Sequence, residues 1–257
     1  MSLLAVGVML LALYAALTLL TPVTLGRPTL IVRHPVACLR LWLASFAISA
    51  LSISTALGLF IALALRHHLT HVPGHDTFGP LIDSVLGWLS IAVVGILAFR
   101  MGVAVQDARA AVNAMTVELA PLIAGATRRE VAGRVLWVVD ANVPLIGARA
   151  GRVLGTSAVV ARLTLDELRA VVEHEHAHIV MNHARVIAIA NIAEAIAPSV
   201  KAGAGFASAA RITTELIADD AAARVCGPLV LADALNKAYP SDLGVQERVL
   251  RLRSRAS

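Results

Sequence analysis

The chain opens on three long apolar runs, and periodic patterns appear only after them. Residues 3–20, LLAVGVMLLALYAALTLL, carry no charge, and as a helix they can cross roughly 30 Å of hydrocarbon. A signal peptide fits this run poorly, because no Lys or Arg precedes it and no clear small-residue cleavage site follows. A second uncharged run fills 41–65, and a third follows Asp83. Arg100 lies late in the third, where its long stem can snorkel to the interface. The pattern predicts a membrane region over 1–104, with transmembrane helices at about 3–22, 41–65 and 84–104. Trp42 and Trp88 fall near span ends, as interfacial anchors do.

The pattern then changes. Residues 105–134 read as a helical connector that ends in a polar, Gly-containing stretch. A second domain is expected over 135–257. VLWVVD (135–140) and RVLGTSAVV (152–160) are rich in β-branched residues, with Pro144, Gly147 and Gly151 as turn signals between them. TLDELRAVVEHEHAHIVMNH follows a helical period and begins with a capping box, Thr164 and Glu167. The apolar stretch 186–200 is short for a span and is broken by Glu194 and Pro198. It reads as a buried or interfacial helix with Glu194 exposed. The basic tail, QERVLRLRSRAS, reads as a solvated helix that frays. The expected architecture is therefore a three-helix membrane region followed by an α+β, mostly helical domain.

Composition strengthens this reading: 58% of the residues are hydrophobic and 15% charged. The net charge of +5 comes almost wholly from arginine, yet no basic run is interleaved with aromatics, so a nucleic-acid partner is not expected. The bilayer is the partner this composition implies. Arg27, Arg33 and Arg40 crowd the first loop, whereas the second holds Arg66 with Asp76 and Asp83. Arg100, Arg109, Arg128, Arg129 and Arg134 follow the third run. The positive-inside rule puts the N-terminus outside and everything after about residue 104 in the cytoplasm. Cys38 and Cys226 form neither a disulfide framework nor a thiolate metal site.

Chemistry concentrates at His174-Glu175-His176-Ala177-His178, an H-E-x-x-H pattern on the predicted helix. His174 and His178, four apart, can aim at one ion, and Glu175 stands beside it as a base. Chance alone gives about 0.01 such matches in this composition. Zinc held by two histidines needs a third protein ligand. Glu215 and Asp219, also four apart, offer that ligand and an acid to orient a ligand histidine. A metzincin register would need Gly at 181 and His at 184, where Met181 and Ala184 stand; His183 is one residue short of it. His176 points to the other side. A histidine-rich loop, His67, His68, His71, His75 and Asp76, reads as an ordinary polar loop, with a metal or proton sensor as the sharper alternative.

The helix ELRAVVEHEHAHIVMNH followed by ELIADDAAARVCG resembles the gluzincin membrane peptidases. Two branches fit: the BlaR/MecR-type antirepressor peptidases (peptidase family 56) and the HtpX/CAAX-protease type (peptidase family 48). The resemblance covers about residues 142–227 by motif, and three spans before a cytoplasmic domain favour the BlaR-type branch. It implies a zincin-like fold with one Zn2+ held by His174, His178 and Glu215, Glu175 as catalytic base, and Asp219 beside a ligand. It also implies an edge strand near 152–157 that pairs with an extended substrate. His176 replaces the usual Leu after H-E. The chain stops at Ser257 without a penicillin-sensor domain, so a β-lactam receptor is not expected. The expected function is regulatory proteolysis: a zinc-dependent endopeptidase cutting a cytoplasmic regulator or a membrane protein. The alternatives are a non-catalytic sensor with a structural zinc site and an HtpX-like quality-control protease. No oxyanion-stabilising His or Tyr stands out.

Overall fold

The computed structural model describes residues 2–70, 78–196 and 201–256. His71, His75 and Asp76 of the histidine-rich loop, and Pro198, lie outside the described residues. The chain forms two compact units, residues 1–108 with 189–210, and residues 109–188 with 211–257.

The first unit is built on helices α1 (Leu3–Leu25), α2 (Pro28–Arg33), α3 (Pro35–Thr70) and the first part of α4 (Phe78–Ala124). Among the described residues, three helices are long and apolar enough to cross a membrane: Leu3–Leu25, Pro35–Leu69 and Leu81–Ala124. Each runs past its apolar stretch, α1 through Pro22 and α4 through Pro121 to end directly before Gly125. Large apolar side chains such as Met9, Leu51 and Phe99 point outward, as lipid-facing positions do. Close helix approach comes from small residues, Gly7 beneath Phe60 and Gly87 against Ala64. The Thr21 and Ser45 hydroxyls share a hydrogen bond of 2.6 Å between α1 and α3.

Residues 189–196 of α7 (His183–Ile196) and 201–210 of α8 (Lys201–Cys226) also belong to this unit. Phe206 stacks on Trp42 at 5.9 Å and meets Phe46 at 5.6 Å. Gly203 and Gly205 leave room for the Ala193 backbone and the Trp42 ring. Residues 186–196 thus belong to a packed helix. Its Glu194 is half-buried, a correction to the exposed charge expected. Together with α6 (Leu165–Val180), α7 is long and apolar enough to span as one element bent by 59°, which would make four.

The second unit holds a four-stranded sheet and the remaining helices. The strands are β1 (Thr127–Val131), β2 (Arg134–Val139), β3 (Ile146–Arg149) and β4 (Arg152–Thr156), in the order β1-β2-β4-β3. β1 and β2 are antiparallel, β2 and β4 parallel, β3 and β4 antiparallel. Two-residue turns close the hairpins, Ala132-Gly133 and Ala150-Gly151, with positive φ at all four residues, the geometry that matches strand twist. Three expectations are corrected here. Residues 127–131, read as connector, are strand β1. Residues 146–149, read as turn, are strand β3. The strand near 152–157 is therefore internal, and β3 is the edge.

α5 (Ser157–Arg162), α6, α9 (Pro228–Ala238) and α10 (Leu243–Ser254) complete this unit. The capping box is present: Glu167 N–H donates to Thr164 Oγ1, and Thr164 N–H to the Glu167 carboxylate. Leu168, Val171 and Val172 of α6 pack with Leu136 and Val153 of the sheet. Ala170, on the same helix, packs with Leu231, Leu235, Val249 and Leu252 of α9 and α10. Arg134 and Lys237 fix α6 from both sides, binding Glu173 at 3.0 Å and Glu167 at 2.6 Å. The C-terminal helix is thus docked rather than solvated and fraying, because Val245, Val249 and Leu252 recur on one face.

Candidate metal centre

One face of α6 carries His174, buried, and His178, half-buried. Their Nε2 atoms are 3.2 Å apart. α8 brings the half-buried Glu215 to both, its carboxylate oxygens 3.4 Å from each Nε2. These three residues have ligand atoms close enough together to hold one ion. Ligands at about 2.0–2.1 Å from a tetrahedral zinc lie roughly 3.3–3.4 Å from one another. The two Nε2 atoms lie close to that spacing, with one Glu215 oxygen 3.4 Å from each, and two imidazoles with a carboxylate are a zinc donor set, so the residues fit the metal.

Asp219, one turn beyond Glu215, is wholly buried, with Oδ1 3.0 Å from His174 Nδ1. The contact is close in charge but off the axis of a well-aligned hydrogen bond, since His174 Nδ1 has no such partner. Arg248 of α10 grips Asp219 with two hydrogen bonds of 2.8 and 2.6 Å. Its Nη1 lies 2.8 Å from Glu215 Oε2. On the other side, His178 Nδ1 meets Nδ1 of buried His183 at 3.0 Å. Glu175 turns toward the sheet, where Oε2 accepts the Ala148 N–H of β3 at 2.6 Å.

The electrostatics differ across the site. Burial opposes a proton on His174, but Asp219 and Glu215 outweigh it and carry its pKa up to about 9. Burial and the neighbouring His174 push His178 down to about 4. Burial raises Glu215, yet His174 and Arg248 bring it to about 2. The same contest, decided by Arg248 and His174, holds Asp219 far below the carboxylate range. Burial pushes Glu175 up, with His174 and the Ala148 amide working against it. A raised carboxyl of this kind is better poised to take and return a proton near neutrality.

The outward-facing edge of β3 is saturated by the chain itself. The Tyr239 hydroxyl donates to Ile146 O at 2.9 Å and accepts the Ile146 N–H at 3.4 Å. Arg149 Nη1 donates to Ala148 O at 2.9 Å. With Glu175 on the Ala148 N–H, all four polar groups of Ile146 and Ala148 are occupied.

His174, Glu175, His178, Glu215 and Asp219, all singled out in the sequence, come together here. His176 turns away, with Arg134 and Glu173 as its charged neighbours. His67 pairs with Asp83 at 2.6 Å in the first unit. Sequence reasoning missed Arg248, Tyr239 and the backbone of β3, and weighed His183 only against a metzincin register. An H-E-x-x-H followed five residues later by another His was the one available signal, for His183.

Residues 137–238 match the family model of Peptidase family M48. No curated protein and no solved structure matches the chain. The matched segment runs from β2 through α9 and includes both motifs of the metal centre; Arg248 lies beyond it. Members of this family are zinc-dependent metalloproteases, so the chain carries a zinc metalloendopeptidase domain, with apolar helices that associate it with membrane.

Proposed function

We propose that the chain is an integral membrane zinc endopeptidase whose metal ligands are His174, His178 and Glu215. The observation that carries this reading is the pair of Nε2 atoms 3.2 Å apart with one Glu215 carboxylate oxygen 3.4 Å from each, and the half-buried Glu175 directly after His174. Held by His174, His178 and Glu215, zinc would supply Lewis acidity for activating water and polarising the scissile carbonyl. Glu175 takes the proton from the attacking water and returns it to the leaving amine. Asp219 faces the Nδ1 side of His174, leaving Nε2 for the metal, and Arg248 balances Asp219 and Glu215.

Substrate docks as an extended strand on the edge of β3, displacing Tyr239 from Ile146 and freeing Glu175 from the Ala148 amide. The arginines of the first loop and of the region after the third span support an N-terminus outside and a peptidase domain in the cytoplasm. The domains divide as a membrane region over 1–104, a connector, and a peptidase domain over 135–257, with β1 contributed by the connector. The substrate is a cytoplasmic regulator or a membrane protein. The span count favours a BlaR-type regulatory role and the family match an HtpX-type one.

The test is cleavage of casein, and self-cleavage, by the detergent-purified chain. Wild type is expected to cleave, to stop when chelated and to recover on added zinc, while Glu175→Gln stays inactive throughout. Wild-type cleavage by Glu175→Gln would return the chain to a sensor with a structural zinc site.

A further inference from the structure

His183 is the one buried titratable side chain at the metal centre without a part in the chemistry above. It starts α7, directly after Asn182, whose φ of 54° breaks the helix and bends α7 from α6 by 59°. The bend matters for reach. On a straight helix, residues five apart point about 140° from one another. With the break, the His183 ring returns to the His178 ring, centroids 4.8 Å apart and nearly perpendicular. His183 is 3% exposed.

The contact is between specific atoms. Nδ1 of His183 lies 3.0 Å from Nδ1 of His178, at hydrogen-bond length. Such a bond holds one proton between two nitrogens. If His183 donates it, the remaining proton of neutral His178 sits on Nε2 and blocks the lone pair that faces Glu215 and His174. If His178 donates it, Nε2 is free to bind a metal and His183 carries its own proton on Nε2. His178 faces His174 and Glu215 through Nε2, so the second arrangement is the one compatible with a loaded site. A fourth-ligand role does not fit, because the group whose ligand atoms converge is His174, His178 and Glu215, without His183.

We infer that His183 is a positioning residue for the metal: its Nδ1 accepts the Nδ1–H of His178, fixing the tautomer and aim of that ligand. The inference rests on reading His178 as a zinc ligand. The other histidine supplies an internal contrast. His174 faces a carboxylate off axis, whereas His178 faces another imidazole at hydrogen-bond length. Partners of this kind hold ring orientation and raise ligand basicity, and losing one weakens metal affinity by about 10- to 100-fold.

The experiment is zinc affinity of the full chain in detergent, read by chelator competition, for wild type, His183→Phe and His183→Asn. Phe keeps a ring against His178 and removes the acceptor; Asn shrinks the ring and offers an oxygen near the Nδ1 position. Phe is expected to bind zinc about 10- to 100-fold more weakly, with Asn within a few-fold of wild type. Wild-type affinity in Phe overturns the inference, and so does an Asn variant as weak as Phe, since packing would then be the cause. A second readout needs no variant: nitrogen-15 histidine spectra of the zinc-loaded wild type. A proton on His183 Nε2 and none on its Nδ1 is expected, and the opposite tautomer overturns the inference. Failure of wild type to bind zinc, or full binding by His178→Ala, would count against the ligand assignment itself and is separable from either result.

Discussion

The two sides of the metal centre solve the same problem with opposite chemistry. On the α8 and α10 side, His174 faces a wholly buried Asp219 that Arg248 holds by two hydrogen bonds. On the α7 side, His178 faces a second imidazole, that of His183, whose charged form burial disfavours. The two rings are four residues apart on one helix, yet their pKa values are driven to about 9 and about 4. What separates them is the charge each neighbouring helix brings. Without metal, the charged side stores a proton that zinc must displace, while the other side keeps its ligand a neutral imidazole over the whole physiological range.

The most forceful way to break this contrast is to strip the charged side of its cation. Arg248→Met leaves Asp219 a buried carboxylate with no arginine, and removing one partner of a buried pair costs about 3–5 kcal/mol. Thermal unfolding of the metal-free chain in detergent should fall accordingly, and Asp219→Asn combined with Arg248→Met should recover much of it. If Arg248→Met unfolds with the wild type, the ionic side is not what holds α10 to α8.

A milder perturbation is pH. His174 is protonated below about 9 in the metal-free chain, His178 is neutral above about 4, and Glu215 is ionised above about 2. Between about 4 and 9 each zinc therefore displaces one proton, and apparent affinity should drop about tenfold for each unit the pH falls. Asp219→Asn removes the charge that raises His174 and should flatten the upper part of that slope. Calorimetry in buffers of different ionisation heat counts the proton directly; a count of zero at pH 7.5 would erase the difference between the two sides. The smallest effect is expected at the β3 edge, beside both. Tyr239→Phe frees the Ile146 amide and carbonyl for a substrate strand, a change of about 0.5–1.5 kcal/mol, read as a lower KM for an extended peptide with little change in kcat. An unchanged KM would mean that peptide does not pair there.

These residues also mark where the sequence was legible. The H-E-x-x-H helix and its capping box are local patterns, and Glu215 and Asp219 repeat the same four-residue spacing. Strands β2 and β4 show their β-branched content. β1, TRREV, hides because an edge strand that faces water with charges looks like connector. β3 hides because four residues with a glycine carry too little pattern. Arg248 was one arginine among many in a basic tail, and its role exists only because Val245, Val249 and Leu252 dock α10. His183 depends on the break at Asn182, which moves a residue from the far face of a helix into the site. Local periodicity is written in the sequence; a long-range salt bridge and a bend are not.

The measurement closest to the central claim is zinc stoichiometry of the purified chain for wild type, Glu215→Ala and Glu175→Gln, with peptide cleavage in parallel. One zinc per chain is expected in wild type and in Glu175→Gln, with cleavage by the latter down about 10²- to 10⁴-fold, and none in Glu215→Ala. Zinc retained by Glu215→Ala, or lost from Glu175→Gln, would contradict the assignment of ligand and base on which the account stands.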